Sequence, residues 1–154
     1  MYNYNYWSSP VGAISSTTNN NAFTVSGVLH DGTDPNNIQN ITWTTGYDGA
    51  ATSPITLSSY WIFKFQNLTP EYANWGVVGQ NGTLQPAQGF TMKGTNASTE
   101  SQNYTFVGKP NNGTITTPIA AGNLNLCGNP YPSALDADAF IAANSASTTG
   151  ALYF

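Results

Sequence analysis

Apolar and polar positions along the chain alternate far more often than they follow a helical period. Tyr2, Tyr4 and Tyr6 are separated by Asn3 and Asn5 and followed by Trp7, a period of two that places the tyrosines on one face of a strand and Trp7 on the other. Similar runs occur at Ile41–Thr45, Ile55–Phe65, Ala73–Val78, Phe90–Lys93, Tyr104–Val107 and Leu124–Cys127, with a short edge strand expected at Thr114–Ile119. In the longest run, Leu57, Ser59, Trp61, Phe63 and Phe65 share one face and Ser58, Tyr60, Ile62 and Lys64 the other; the Trp61/Phe63/Phe65 face is assigned to the core. Ala22–Leu29 fits a strand through Thr24, Val25 and Val28, or a short helical turn lined by Phe23, Val25 and Leu29.

Between these runs, Ser15–Asn21, His30–Asn40, Gln80–Thr83, Thr95–Ser101 and Lys109–Gly113 lack hydrophobic periodicity and carry turn-forming residues, so each reads as a loop or turn. One stretch has a helical signature. Ser133 stands three residues before Asp136, and Leu135, Ala139, Phe140 and Ala143 form an apolar stripe, which predicts a Ser133-capped helix. Ala151–Phe154 begins a final strand. Strands at intervals of about ten residues with Gly and Asn turns predict an all-β fold, a sandwich or jelly-roll-like domain with one short helix near residues 134–143. A chain of 154 residues forms one domain, residues 1–154, with a core large enough to need no disulfide or metal staple.

Charge changes the picture of what the chain can bind. Only 6% of residues are charged, with three lysines, no arginine and a net charge of −4, so solubility rests on 19 Asn, 20 Thr and 13 Ser. Nucleic acid is excluded as a partner because phosphate binding needs cations that are absent. No apolar run reaches the roughly eighteen residues of a spanning helix, so no membrane insertion is expected. The lone Cys127 lies in an alternating apolar run and reads as a small buried hydrophobe.

Catalytic chemistry finds little support. His30 beside Asp31 in a loop is a solvated histidine rather than an oriented acid–base pair, and one His with one Cys cannot furnish a zinc shell. Asp31 and Asp34 are candidates for calcium, without a full ligand series at loop spacing. No catalytic residue, resident metal or cofactor is therefore expected. The aromatics point elsewhere: four Trp, nine Tyr and seven Phe exceed what such a core must hold. Trp43, Trp75 and Tyr47 are candidates for stacking on sugar rings from an exposed face, against a competing reading in which Trp43, Trp61 and Trp75 anchor the core. Tyr2, Tyr4, Tyr6 and Trp7 at one end, with Leu152, Tyr153 and Phe154 at the other, are candidates for strand pairing with a neighbouring subunit.

In order along the chain stand Tyr6-Trp7-Ser8-Ser9-Pro10-Val11, Gly82-Thr83-Leu84 with Gln88-Gly89-Phe90, Phe106-Val107-Gly108, Leu126-Cys127-Gly128-Asn129-Pro130-Tyr131-Pro132-Ser133, and Ala151-Leu152-Tyr153-Phe154. This series resembles a β-rich module of large secreted and cell-surface proteins of the Bacteroidota, many of them exported by type IX secretion. The resemblance implies export, an extracellular or cell-surface location and a piece of a longer surface protein; it carries over no catalytic residue. Within the most specific motif, Gly128, Asn129, Pro130, Pro132 and Ser133 read as a structural turn that aims the helix. WSSPV and GNPYPS read as two versions of one device. The expected function is a non-enzymatic extracellular structural or adhesive module, a filament or surface-layer building block assembling through its terminal β-strands, with itself or other surface proteins as partners. The alternative is a carbohydrate-binding module that presents exposed aromatic residues to polysaccharide.

Overall fold

The computed structural model describes residues 4–97 and 101–150, so Tyr2, Leu152, Tyr153, Phe154 and the expected final strand lie outside the described residues. The chain runs through β1 (Tyr4–Trp7), β2 (Val11–Gly12), a single helical turn α1 (Val25–Val28), β3 (Leu29–Asp31), β4 (Gln39–Asn40), β5 (Thr42–Thr44) and β6 (Thr56–Ser58). It continues through β7 (Phe63–Lys64), β8 (Gln66–Leu68), a 3₁₀ turn at Tyr72–Asn74, β9 (Gly76–Val77), β10 (Phe90–Lys93), β11 (Tyr104–Phe106), β12 (Lys109–Pro110), β13 (Leu124–Asn125) and α2 (Ala137–Ala143). The fold is all-β with one short helix beyond the α1 turn, as the alternation predicts. Its ladders are small: β1–β10, β12–β2, β13–β8 and β7–β9 are antiparallel pairs, β11–β3–β4 is an antiparallel trio, and β5–β6 is parallel.

Side chains join these ladders. Thr91 Oγ1 on β10 donates to Trp61 O at 2.6 Å and accepts from Phe63 N at 3.0 Å, laying β7 beside the β1–β10 pair. Under this layer, Phe23, Val25, Val28, Leu29, Leu57, Ile62, Leu84, Phe90 and Met92 form the buried core, with Trp7, Trp43, Tyr104 and Phe106 packed against it. Each fully buried aliphatic or aromatic side chain contributes about 1.5–3 kcal/mol, so the core rather than the short ladders carries most of the stability.

The ambiguous Ala22–Leu29 segment is both things in succession: Thr24 Oγ1 accepts from Gly27 N at 3.1 Å to cap the α1 turn, and strand β3 starts at Leu29. The run Ile55–Phe65 is not one strand. Ser58 Oγ donates to Gly46 O at 2.5 Å, Ser59 Oγ donates to Thr44 O at 3.0 Å, and Tyr60 N donates to Ser58 Oγ at 3.3 Å, which bends the chain after β6. The bend resets the parity, so Leu57 and Ile62 both lie in the core while Trp61 and Phe63 are half-buried on the outer side. The assignment of the Trp61/Phe63/Phe65 face to the core is thus corrected; of the three only Phe65 is buried.

Other boundaries also move. His30 and Asp31 belong to β3 and Gln39–Asn40 to β4, which shortens the loop between them, because the Asp31 carboxylate is buried and holds two backbone N–H groups. Asn74 Nδ2 donates to Thr69 O and Oγ1, wrapping Tyr72–Asn74 into a 3₁₀ turn and leaving only Gly76–Val77 as strand. Residues 114–119 form no strand. Asp136 rather than Ser133 caps α2, its Oδ1 accepting from Ala139 N at 3.0 Å; the Ser133 carbonyl is instead taken by Asn129 Nδ2. The helix buries no residue, and its stripe of Leu135, Ala139, Phe140 and Ala143 is exposed.

The two proline motifs meet. A Cβ on Gly128 would fall inside contact distance of Ser8 Cβ and Oγ, and Ser8 Oγ donates to Asn129 O at 3.1 Å. Asn129 Oδ1 accepts from Tyr131 N at 3.1 Å, and Asn111 Nδ2 donates to Pro130 O at 2.9 Å. Gly128, Asn129 and Pro130 therefore act as a structural junction between the chain start and the C-terminal segment. Cys127 beside it is exposed, not buried, because β13 and its continuation lie at the surface against β8. Its Sγ sits 3.8 Å from Thr117 Oγ1, and desolvation, opposed by that contact, raises the thiol pKa.

Candidate functional site: an aromatic face on the outer layer

The register of β1 against β10 pairs Tyr4 with Lys93, Asn5 with Met92, Tyr6 with Thr91 and Trp7 with Phe90. Directly opposed residues of an antiparallel pair point to the same side. Trp7, Phe90 and Met92 therefore face the core, while Tyr4, Tyr6 and Lys93 face outward, with Tyr4 43% and Tyr6 50% exposed. The period of two in the opening residues is what sorts them.

Each outward tyrosine is backed by a tryptophan from elsewhere in the chain. Trp61, turned out by the Ser58–Ser59 bend, stacks on Tyr4 with centroids 6.2 Å apart and rings 18° from parallel. Trp75, set by the 3₁₀ turn, stacks on Tyr6 at 6.2 Å and 15°, and meets buried Phe65 edge-on at 5.3 Å. Beyond Trp61 the row continues: Tyr60 packs on it at 4.9 Å, and Tyr47 packs on Tyr60 at 4.7 Å, both edge-to-face. Trp61 Nε1 donates to Tyr47 O at 2.7 Å, which fixes the loop carrying Tyr47. Tyr47 is 59% and Tyr60 46% exposed.

The resulting surface carries two ring sets, Tyr47–Tyr60–Trp61–Tyr4 and Tyr6–Trp75, aligned through β1 into a row along one side of the β1–β10–β7 layer. Tyrosines form its exposed part, and half-buried tryptophans hold them in place. Such rings offer broad apolar faces and phenolic hydroxyls at low conformational cost. At the row Lys93 Nζ pairs with Asp48, and Lys93 also lies 5.9 Å from the Trp61 ring centroid.

Of the sequence candidates for sugar stacking, Tyr47 lies in the exposed row and Trp75 supports it. Trp43 does not: on β5 it stands opposite Leu57 of β6 and packs against the core. Trp61 and Tyr60, not singled out for stacking from the sequence, belong to the row; the signal that could have found them was the Ser58-Ser59 pair, whose hydroxyls turn the backbone. Among the strand-pairing candidates, Tyr4, Tyr6 and Trp7 are already hydrogen-bonded within their own chain through β10, and Trp7 faces the core.

Asp31 and Asp34 are both engaged in turns. Asp31 Oδ1 accepts from Thr33 N and Oδ2 from Ile55 N, each at 2.9 Å, and Asp34 Oδ1 accepts from Asn36 N at 2.9 Å. Among the described residues no group of three or more His, Cys, Asp or Glu side chains is gathered for a metal ion. His30 and Asp31, as neighbours on β3, point to opposite sides. A cleft of about 320 Å³ between Gln66, Gln85, Gln88 and Thr116 is lined by carboxamides, hydroxyls and prolines, with neither an acid nor a base. No helix of the described residues is long and apolar enough to cross a membrane.

Residues 1–154 match the model of a family described as Domain of unknown function (DUF8693). No curated protein and no solved structure matches the chain.

Proposed function

We propose for this chain, which belongs to the DUF8693 family, the work of a non-enzymatic extracellular adhesive module that holds polysaccharide on its aromatic face. The observation that carries the reading is the pair of stacked, outward-facing sets, Tyr4 on Trp61 and Tyr6 on Trp75, extended by Tyr60 and Tyr47. Sugars present C–H faces that stack on aromatic rings and hydroxyls that bond to phenols, and a row of fixed rings binds them with little loss of side-chain entropy. Residence at the cell surface or outside the cell is part of the proposal and rests on the motif resemblance to Bacteroidota surface modules.

Affinity electrophoresis through gels containing single polysaccharides tests it. Retardation in at least one gel that is lost in a Tyr6→Ala, Tyr47→Ala double variant supports the reading; unretarded migration across a broad panel refutes it. A second reading, self-association, is favoured by one observation: β1 is laddered on one side only, to β10, and its other edge is without a ladder among the described residues. Concentration-dependent sedimentation distinguishes it, since a species that stays monomeric at high concentration removes assembly through that edge.

A further inference from the structure

We infer that the polysaccharide held by the aromatic face is neutral and linear, and that Asp48 sets this preference by cancelling the charge of Lys93 at the face. The inference rests on the glycan-binding reading above and deepens it.

The row supplies the shape. Tyr4 and Tyr6 are two residues apart on one strand face, about 7 Å along β1. Tyr60 and Tyr47 extend the row past Trp61, and Trp75 lies against Tyr6. Rings set out in this way meet successive units of a polymer, whereas a single sugar would cover one of them.

The charges supply the selectivity. Lys93 stands opposite Tyr4 in the ladder, on the outward side, and reaches the Trp61 ring. Alone, a cation at that place would attract the carboxylates or sulfates of an acidic polysaccharide. Asp48, one residue after Tyr47 and with a side chain 65% exposed, pairs with it and returns the local charge to zero. With a net charge of −4 over the chain, an approaching polyanion meets repulsion without a compensating cation at the face. The Lys93 side chain is 16% exposed and that of Asp48 65%, so the pair also has a part in the local structure. Its more consequential role is in choosing the ligand.

The test compares wild type with Asp48→Asn for binding to mixed-linkage glucan and xylan as neutral probes and polygalacturonate as the acidic probe, at low ionic strength. The wild type is expected to bind a neutral probe and to leave polygalacturonate unbound. In Asp48→Asn the ratio of acidic to neutral affinity rises about fivefold or more, the rise disappears in high salt, and Lys93→Gln in the same chain abolishes it. A cooperative thermal melt shows that the variant is folded. Wild-type binding to polygalacturonate as tight as to glucan, or an unchanged ratio in folded Asp48→Asn, overturns the inference while leaving the glycan-binding reading intact. A wild type that binds none of a broad panel refutes that reading, and this inference with it.

Discussion

Asp31 joins two distant parts of the chain, and its removal should be felt throughout the fold. The residue is 4% exposed, and its two carboxylate oxygens accept from Thr33 N and from Ile55 N, 24 residues away. Asp31→Ala leaves both donors without this acceptor. A buried unsatisfied donor costs about 1–3 kcal/mol; Thr33 is exposed and its N–H can turn to water, whereas Ile55 is buried and its N–H cannot. The expected loss is about 3 kcal/mol, which for a domain of this size lowers Tm by roughly 6–12 °C.

The pH dependence gives an independent check. Burial pushes the Asp31 pKa up, but hydrogen bonds from Thr33 and Ile55 outweigh it and hold the carboxyl below its ordinary value. A depressed folded-state pKa contributes stability that is fully present above the unfolded value of about 3.9 and is lost as pH falls through the folded pKa. Asp31→Asn, which cannot ionise, should therefore be less stable than wild type at pH 7, and the gap should narrow once the pH falls below about 4. Urea unfolding followed by tryptophan fluorescence at several pH values measures both. An Asp31→Ala protein within about 0.5 kcal/mol of wild type at pH 7, or a gap that widens on acidification, refutes the assignment.

Two further perturbations follow from the junction of the proline motifs. Gly128→Ala drives a methyl group into Ser8 and should cost about 1–3 kcal/mol; adding Ser8→Gly should recover most of that loss, and a double-mutant cycle from thermal melts reads the coupling. Cys127 is exposed but has a raised thiol pKa, so its alkylation by iodoacetamide should be slower in the native protein than in the unfolded chain near neutral pH. The native rate should climb to a midpoint above the ordinary thiol value of about 8.5, and a midpoint at or below it contradicts the desolvation of the thiol.

The two faces of β1 were readable from sequence because nothing interrupts the alternation of Tyr4, Asn5, Tyr6 and Trp7, and a period of two fixes facing without knowledge of the partner. The longer Ile55–Phe65 run misled for the opposite reason: its pattern is just as regular, but the hydroxyls of Ser58 and Ser59 bond to Gly46 and Thr44 and turn the backbone between Leu57 and Ile62. Long-range bonds of this kind leave no periodic trace. The helix was legible as an element, whereas its cap was not, since Ser133 and Asp136 are both good caps, and it is Asp136 whose carboxylate accepts from Ala139 N and whose carbonyl accepts from Phe140 N. The aromatic face combines both cases. Tyr4 and Tyr6 are legible, while Trp61 and Trp75 join them through a bend and a 3₁₀ turn that tertiary hydrogen bonds impose.

In the proposed function, the exposed tyrosines on this face, not the core, do the binding. Isothermal titration of a soluble neutral β-glucan into wild type and into a Tyr4→Ala, Tyr6→Ala, Tyr47→Ala variant tests it most directly, with a companion melt to verify folding. Measurable wild-type binding is expected, falling at least about tenfold in the variant, a loss of about 1.4 kcal/mol, with the fold intact. Equal affinity in the two folded proteins, or no heat from the wild type, would contradict it.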